Sequence, residues 1–227
     1  MLGGLLHRML HFVQHDKDRG LDLLAKREEQ PGGGLLEAIR QAVASHRPRR
    51  IQPEGRPEAA VLLLIYVVRG EPHILFTLRT HLVETHKGQI SFPGGAADPE
   101  DDDLRLTALR ETFEEVGVRP DDVEVVGQLD DSPSISGFMV TPYVGFIRGP
   151  VPYHFRPNHH EVAELIQVPL SHLMDRANVT EEVRQIDGRD MVMYSYLFRG
   201  HVVWGLTARI LKQFLDLLAP ALVEPPR

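Results

Sequence analysis

The chain has 227 residues, a formal net charge of -7 and no cysteine. Its length allows one good core plus an appendage, or two small domains. Its charge argues against a general nucleic-acid binder, because affinity for a phosphate backbone needs a basic surface, and the absence of thiols excludes a disulfide framework and fits a reducing, cytoplasmic setting.

Residues 1–30 are expected to be helical, since Leu2, Leu5, Leu6, Met9, Phe12 and Val13 recur at helical spacing. His7 and Arg8 interrupt the leucines and no small-residue cleavage pattern follows, so a secretory signal is not expected. Pro31 and glycines 32–34 end this piece, a second helix covers 35–45, and a Pro/Arg-rich linker runs to Pro57. We therefore expect residues 1–54 to form a helical extension and linker, and 55–227 the main domain. Strands are predicted at 60–68 and 73–78, joined by the turn Arg69-Gly70-Glu71-Pro72; the apolar run within the first is too short to span a bilayer, and no membrane segment is expected.

A central helix is predicted from Asp102 or Asp103 to Gly117, a good residue for a helix end, with Pro120 preventing its continuation. Its buried face is expected to carry Leu106, Leu109, Phe113 and Val116, with the glutamates pointing away. Further strands are expected at 123–129 and 140–147, and a strand or turn leading into a short helix at 162–174. A hairpin through Gly200 and an amphipathic closing helix at 207–218 complete the chain. Strands interleaved with helices, without regular alternation, predict an α/β (α+β) fold, a mixed sheet sandwiched between helices.

The chemistry concentrates on that central helix. Offsets of three and four put Glu111, Glu114 and Glu115 on one face, where like charges repel unless a cation repays the cost. Carboxylate oxygens without Cys or clustered imidazoles favour Mg²⁺ or Mn²⁺, and such ions favour phosphate oxygens as their other ligands. Arg110, four residues before Glu114, is placed to brace the carboxylates. Upstream, Arg79, His81, His86, Lys87 and Gln89 form the candidate substrate-binding stretch. His7, His11 and His15 read as a solvated helix edge, Asp98 to Asp103 as acids favourable at a helix N-terminus, and Trp204-Gly205 as a packing corner.

These residues resemble the Nudix hydrolases, whose box runs Gly, five residues, Glu, seven residues, then Arg-Glu-aliphatic-x-Glu-Glu-x-Gly-aliphatic. Here its second half reads Arg110-Glu111-Thr112-Phe113-Glu114-Glu115-Val116-Gly117-Val118. In the first half one residue is inserted after Gly95, and Asp102 stands in for the first glutamate. The inserted form resembles the coenzyme A pyrophosphatase branch, whose upstream signature matches in spacing at Leu75-Phe76-Thr77-Leu78-Arg79-Thr80, Gly88 and Phe92-Pro93-Gly94-Gly95, with Glu84 where the signature has Arg. Similarity continues at Ser136-Gly137-Phe138, Thr141-Pro142, Glu161-Val162-Ala163-Glu164 and 204–209, and the resemblance implies a further metal ligand or base at Glu161 or Glu164.

The resemblance implies a Nudix fold and hydrolysis of a small nucleotide substrate, with Mg²⁺ or Mn²⁺ held by Glu111, Glu114, Glu115 and a carbonyl of Gly94 or Gly95. It implies coenzyme A as substrate, with ADP-ribose or another nucleoside diphosphate derivative as the alternative and a non-cleaving nucleotide sensor as a third reading. The first thirty residues lie outside it. Their apolar stripe needs a partner, and a homodimer is expected.

Overall fold

The computed structural model describes residues 33–80, 88–101, 103–149, 152–186 and 188–223. The helix expected over 1–30, with its three histidines, lies outside the described residues, as do His81, Glu84, His86, Lys87 and Asp102.

The first described helix, α1 (Gly33–Ser45), starts at Gly33 rather than Leu35. The central strand β1 (Glu58–Val68) reads as a nearly continuous apolar run because both its faces are covered. It pairs antiparallel with β2 (Glu71–Arg79) and with β4 (Gly94–Ala96), and parallel with β7 (Met139–Ile147). The short β3 (Ile90–Ser91) and β8 (Val162–Pro169) join β2, while β5 (Val123–Gln128) and β6 (Ser132–Pro133) join β7. The result is the mixed sheet the sequence predicts.

Alternation along β1 sorts the core into two layers. Ala60, Leu62, Leu64 and Tyr66 pack with Leu75 and with Ala108 and Val116 of α2 (Leu104–Val116). On the other face, Ala59, Leu63 and Ile65 share a core with Ile39 and Val43 of α1 and with Leu211 and Phe214 of α4 (Gly205–Val223). α1 therefore packs directly against the sheet, although the linker that follows it was expected to set it apart. Beyond β8, the short α3 (Leu170–Met174) leads to a second antiparallel sheet of β9 (Val179–Ile186), β10 (Arg189–Phe198) and β11 (His201–Val203). The hairpin through Gly200 is present, and β9 is an addition that the sequence reading did not make. Among the described residues no helix is long and apolar enough to cross a membrane.

Two expectations are corrected. Leu106 and Phe113 are 40% and 50% exposed, and the buried face of α2 is instead Thr107, Ala108, Thr112, Glu115 and Val116. Small side chains let the helix lie close to the sheet, and an ion pair to β2 draws Glu115 inward, so the packed face is rotated away from the apolar stripe. Trp204 is 52% exposed, so it is not a packing corner.

Candidate active site

The site is built where α2 meets the Phe92-Pro93-Gly94-Gly95 turn. Leu62 N–H donates to Pro93 O at 2.8 Å, and Gly95 and Gly94 register opposite Ala60 and Val61, so the turn is stitched to the central strand. Gly94 adopts φ 151°, and a Cβ there meets the backbone of Ala60 and Val61. At Gly95 a Cβ falls inside the Glu111 carboxylate, so this glycine is the floor on which that side chain lies.

The start and stop of α2 are set locally. The Asp103 side chain accepts from Leu106 N–H at the N-cap, and Gly117 closes the other end at φ 72°. The next pieces of chain are pinned to the same end: Arg156 N–H donates to Val116 O and Asn158 N–H to Glu115 O, both at 2.8 Å. Those bonds bring Glu161 to the acidic cluster, where its charge disfavours ionisation of both Glu111 and Glu115. Glu161 also accepts from Asn158 Nδ2 at 3.2 Å. Glu164, its competitor in the sequence, points elsewhere and pairs with His201 at 3.4 Å.

Glu115 is 2% exposed. It accepts from Arg79 Nη1 at 3.2 Å and from Gly94 N–H at 3.3 Å. Burial nevertheless pushes its carboxyl up to about 8, because the arginine and the amide only partly offset the lost hydration and Glu111 and Glu161 add repulsion. Burial likewise raises Glu111, against the opposing pull of Arg110. Glu114 is the exposed member of the triad.

Arg110 is the hub. Its Nη1 donates to Glu111 at 2.7 Å and to Glu114 at 3.5 Å, and its Nη2 to Ala96 O at 3.1 Å and to Asp101 at 2.9 Å. Asp101 also accepts from Arg110 Nε, from Thr107 Oγ1 at 2.8 Å and from Asp98 N–H at 3.0 Å. The acid that clamps Arg110 is thus Asp101, which sequence reasoning passed over. The expectation that Asp102 stands in for the first glutamate of the box lies outside the described residues.

Arg110 holds the Asp101 carboxyl well below the usual range. The stability this clamp contributes is therefore present at neutral pH and is lost as pH falls through the acid range. Asp101→Ala is expected to cost about 2 kcal/mol at pH 7 and less at pH 2, the scale of a charged hydrogen bond. Denaturant titrations at the two pH values measure it; an equal loss at both contradicts the clamp.

Of the remaining expected contacts, Gln89 lies beside Arg79, whose N–H donates to Gln89 O at 2.9 Å. The Nε of Arg79 is buried and has no hydrogen-bond partner among the described residues. Here, then, are a buried carboxylate short of positive charge, a second lying on bare glycine backbone, and an arginine with a donor to spare. Among the described residues no three acids or imidazoles converge on one point, since the guanidinium groups of Arg79 and Arg110 occupy the cluster. The donor set is nevertheless all oxygen and suits a hard divalent ion in charge and chemistry.

A mixed sheet between helices, with acids on a helix packed against a glycine turn, defines a hydrolase of the Nudix class. The model of the NUDIX domain matches residues 56–189, and the chain belongs to the Nudix hydrolase family. The family generally acts on small nucleotide substrates with divalent metal ions. The chain is 39% identical over 166 residues to the uncharacterized Nudix hydrolase NudL of Photorhabdus laumondii, covering 73% of this chain and 87% of that one. It is 38% identical over 167 residues to the NudL of Pectobacterium atrosepticum, covering 73% and 85%. To the human mitochondrial coenzyme A diphosphatase NUDT8 it is 42% identical over 176 residues, covering 75% and 74%.

Proposed function

We propose that this protein hydrolyses the pyrophosphate of coenzyme A or an acyl derivative, giving adenosine 3′,5′-bisphosphate and the phosphopantetheine product. The observation that carries the substrate is the 42% identity to a protein named coenzyme A diphosphatase. The matching upstream signature at Arg79, Gly88 and the Phe92-Pro93-Gly94-Gly95 turn supports it.

In this reading Glu111, Glu114 and Glu115, with a carbonyl of Gly94 or Gly95, hold Mg²⁺ or Mn²⁺. Bound there, the ion supplies Lewis acidity and hydroxide at neutral pH. The rest falls to the chain. Arg110 keeps Glu111 and Glu114 apart and oriented, as a positioning residue. Arg79, with Nε free, donates to a phosphate oxygen, and Gln89, His86 and Lys87 complete the substrate contacts. Glu161 is the candidate proton acceptor. Residues 55–227 form the catalytic unit, with α1 as its cover, in a cytoplasmic protein.

Purified protein with Mg²⁺ or Mn²⁺ is expected to cleave coenzyme A, and Glu84→Arg, which restores the signature cation, to improve that cleavage severalfold. Glu84 also gives the alternative its weight: coenzyme A left intact beside efficient hydrolysis of ADP-ribose establishes the second reading. Tight nucleotide binding with no hydrolysis of any pyrophosphate establishes the sensor.

The homodimer remains part of the proposal, resting on the apolar stripe of residues 1–30. Deleting residues 1–30 is expected to shift the sedimentation mass from dimer to monomer with activity per site retained, because the proposed ligands lie between Arg79 and Glu161. A full-length chain that sediments as a monomer at micromolar concentration rejects the dimer.

A further inference from the structure

A cleft of about 290 Å³ lies outside the acidic cluster, between the edge of the main sheet and the β10–β11 hairpin. Its apolar wall includes Ile166 and Phe198, and its polar rim carries His73, Glu164, Arg199 and His201. Three of those four rim groups are bases. Glu164 faces His201 at 3.4 Å, which leaves the Arg199 guanidinium with no carboxylate partner among the described residues. It lies 5.0 Å over the Phe198 ring instead. Arg199 and Gly200 both have positive φ, 48° and 85°, the geometry of a tight hairpin turn, and this fixes the root of the Arg199 side chain at the lip of the cleft.

In a chain of net charge -7, an arginine with no carboxylate partner among the described residues, lining the same cleft as two imidazoles, marks a place for an anion. The cleft is also within reach of the candidate active site. Val162 registers opposite Arg79 and Glu164 opposite Leu78, so the cleft opens two residues along β8, roughly 7 Å from the Arg79 register. β8 pairs with β2 alone among the described residues, so it forms an edge of the main sheet beside the cleft.

Resting on the coenzyme A reading above, we infer that this cleft binds the phosphomonoester of the substrate, the 3′-phosphate one ribose away from the scissile pyrophosphate, with Arg199 as its principal donor and His201 beside it. Glu164 holds the His201 ring at the rim. The cleft therefore discriminates coenzyme A from its dephosphorylated form while the chemistry proceeds elsewhere. A guanidinium–phosphate contact in a partly open cleft corresponds to roughly a tenfold effect on binding.

The test compares coenzyme A with 3′-dephospho-coenzyme A in the full-length protein and in Arg199→Ala, with Arg199→Lys as the conservative control. The wild type is expected to show a KM for coenzyme A roughly tenfold below that for the dephospho form. Arg199→Ala should raise only the coenzyme A value, to meet the other, with kcat changed by less than about twofold. Arg199→Lys should recover part of the difference. Cleavage of both substrates with the same KM ratio in wild type and Arg199→Ala overturns the inference and leaves the hydrolase reading standing. If neither substrate is cleaved, the coenzyme A reading fails, and calorimetric titration with inorganic phosphate then probes the cleft directly: equal affinity in wild type and Arg199→Ala overturns the anion site as well. An outcome in which inorganic phosphate binds through Arg199 but the KM ratio does not depend on it also overturns the assignment to the substrate.

Discussion

Glu115→Gln is expected to abolish hydrolysis, by on the order of a thousandfold or more at saturating Mg²⁺, while leaving a folded protein. The side chain is 2% exposed and accepts from both Arg79 Nη1 and Gly94 N–H, so the amide fills the same space, loses the charge and keeps only one of those two accepted hydrogen bonds. Stability should move the opposite way from activity. Burial sets the folded carboxyl at about 8, above its ordinary 4.5, so the folded state takes up a proton more readily than the unfolded chain. This group's contribution to metal-free stability is then fully present below the ordinary carboxylate range and is lost as pH rises toward 8, and Glu115→Gln removes that decline. Metal ligation needs the charged form, so adding Mg²⁺ to weakly buffered protein at pH 7 should release protons from the wild type and not from the variant. Near-normal turnover by Glu115→Gln, or a wild-type stability flat between pH 5 and pH 8, contradicts the assignment.

The adjacent glycines are expected to fail in different ways when a single methyl group is added. At Gly95 the added Cβ overlaps the Glu111 carboxylate, a side chain that can swing aside, so Gly95→Ala should fold with a near-normal melting temperature. The swing breaks the 2.7 Å contact with Arg110, and turnover should fall on the order of a hundredfold. At Gly94 the Cβ meets the backbone of Ala60 and Val61, which cannot give way, and φ 151° is strained for any other residue. Gly94→Ala should therefore lose ~3 kcal/mol or more of stability. Thermal melting paired with turnover separates the two, and equal melting losses in both variants refute the distinction.

Much of this was legible in the chain. The apolar run of β1 and the glycine that ends α2 each follow from a single local rule, and the structure keeps both. The face on which α2 packs was not legible, because Leu106, Leu109, Phe113 and Val116 offer a plausible stripe, whereas the observed face depends on an ion pair with Arg79 on a distant strand. Asp101 was hidden for a similar reason: one of several neighbouring acids is selected only by the three-dimensional path of the loop. β9 was missed because residues 180–185 are exposed, so no buried period marks them as a strand.

The stitching of the glycine turn to β1 bears on how the protein fails under heat. Glu111 rests on Gly95, Gly95 registers with Ala60, and Ala60 belongs to the middle of the core, so no hinge separates the floor of the candidate site from the central strand of the main sheet. A fractional shift of β1, too small to expose any surface, moves the glycine floor beneath the carboxylate. Warming should therefore silence turnover several degrees before unfolding becomes visible, and substitutions that tighten packing around β1 should extend the working range of the enzyme more than they raise its melting point.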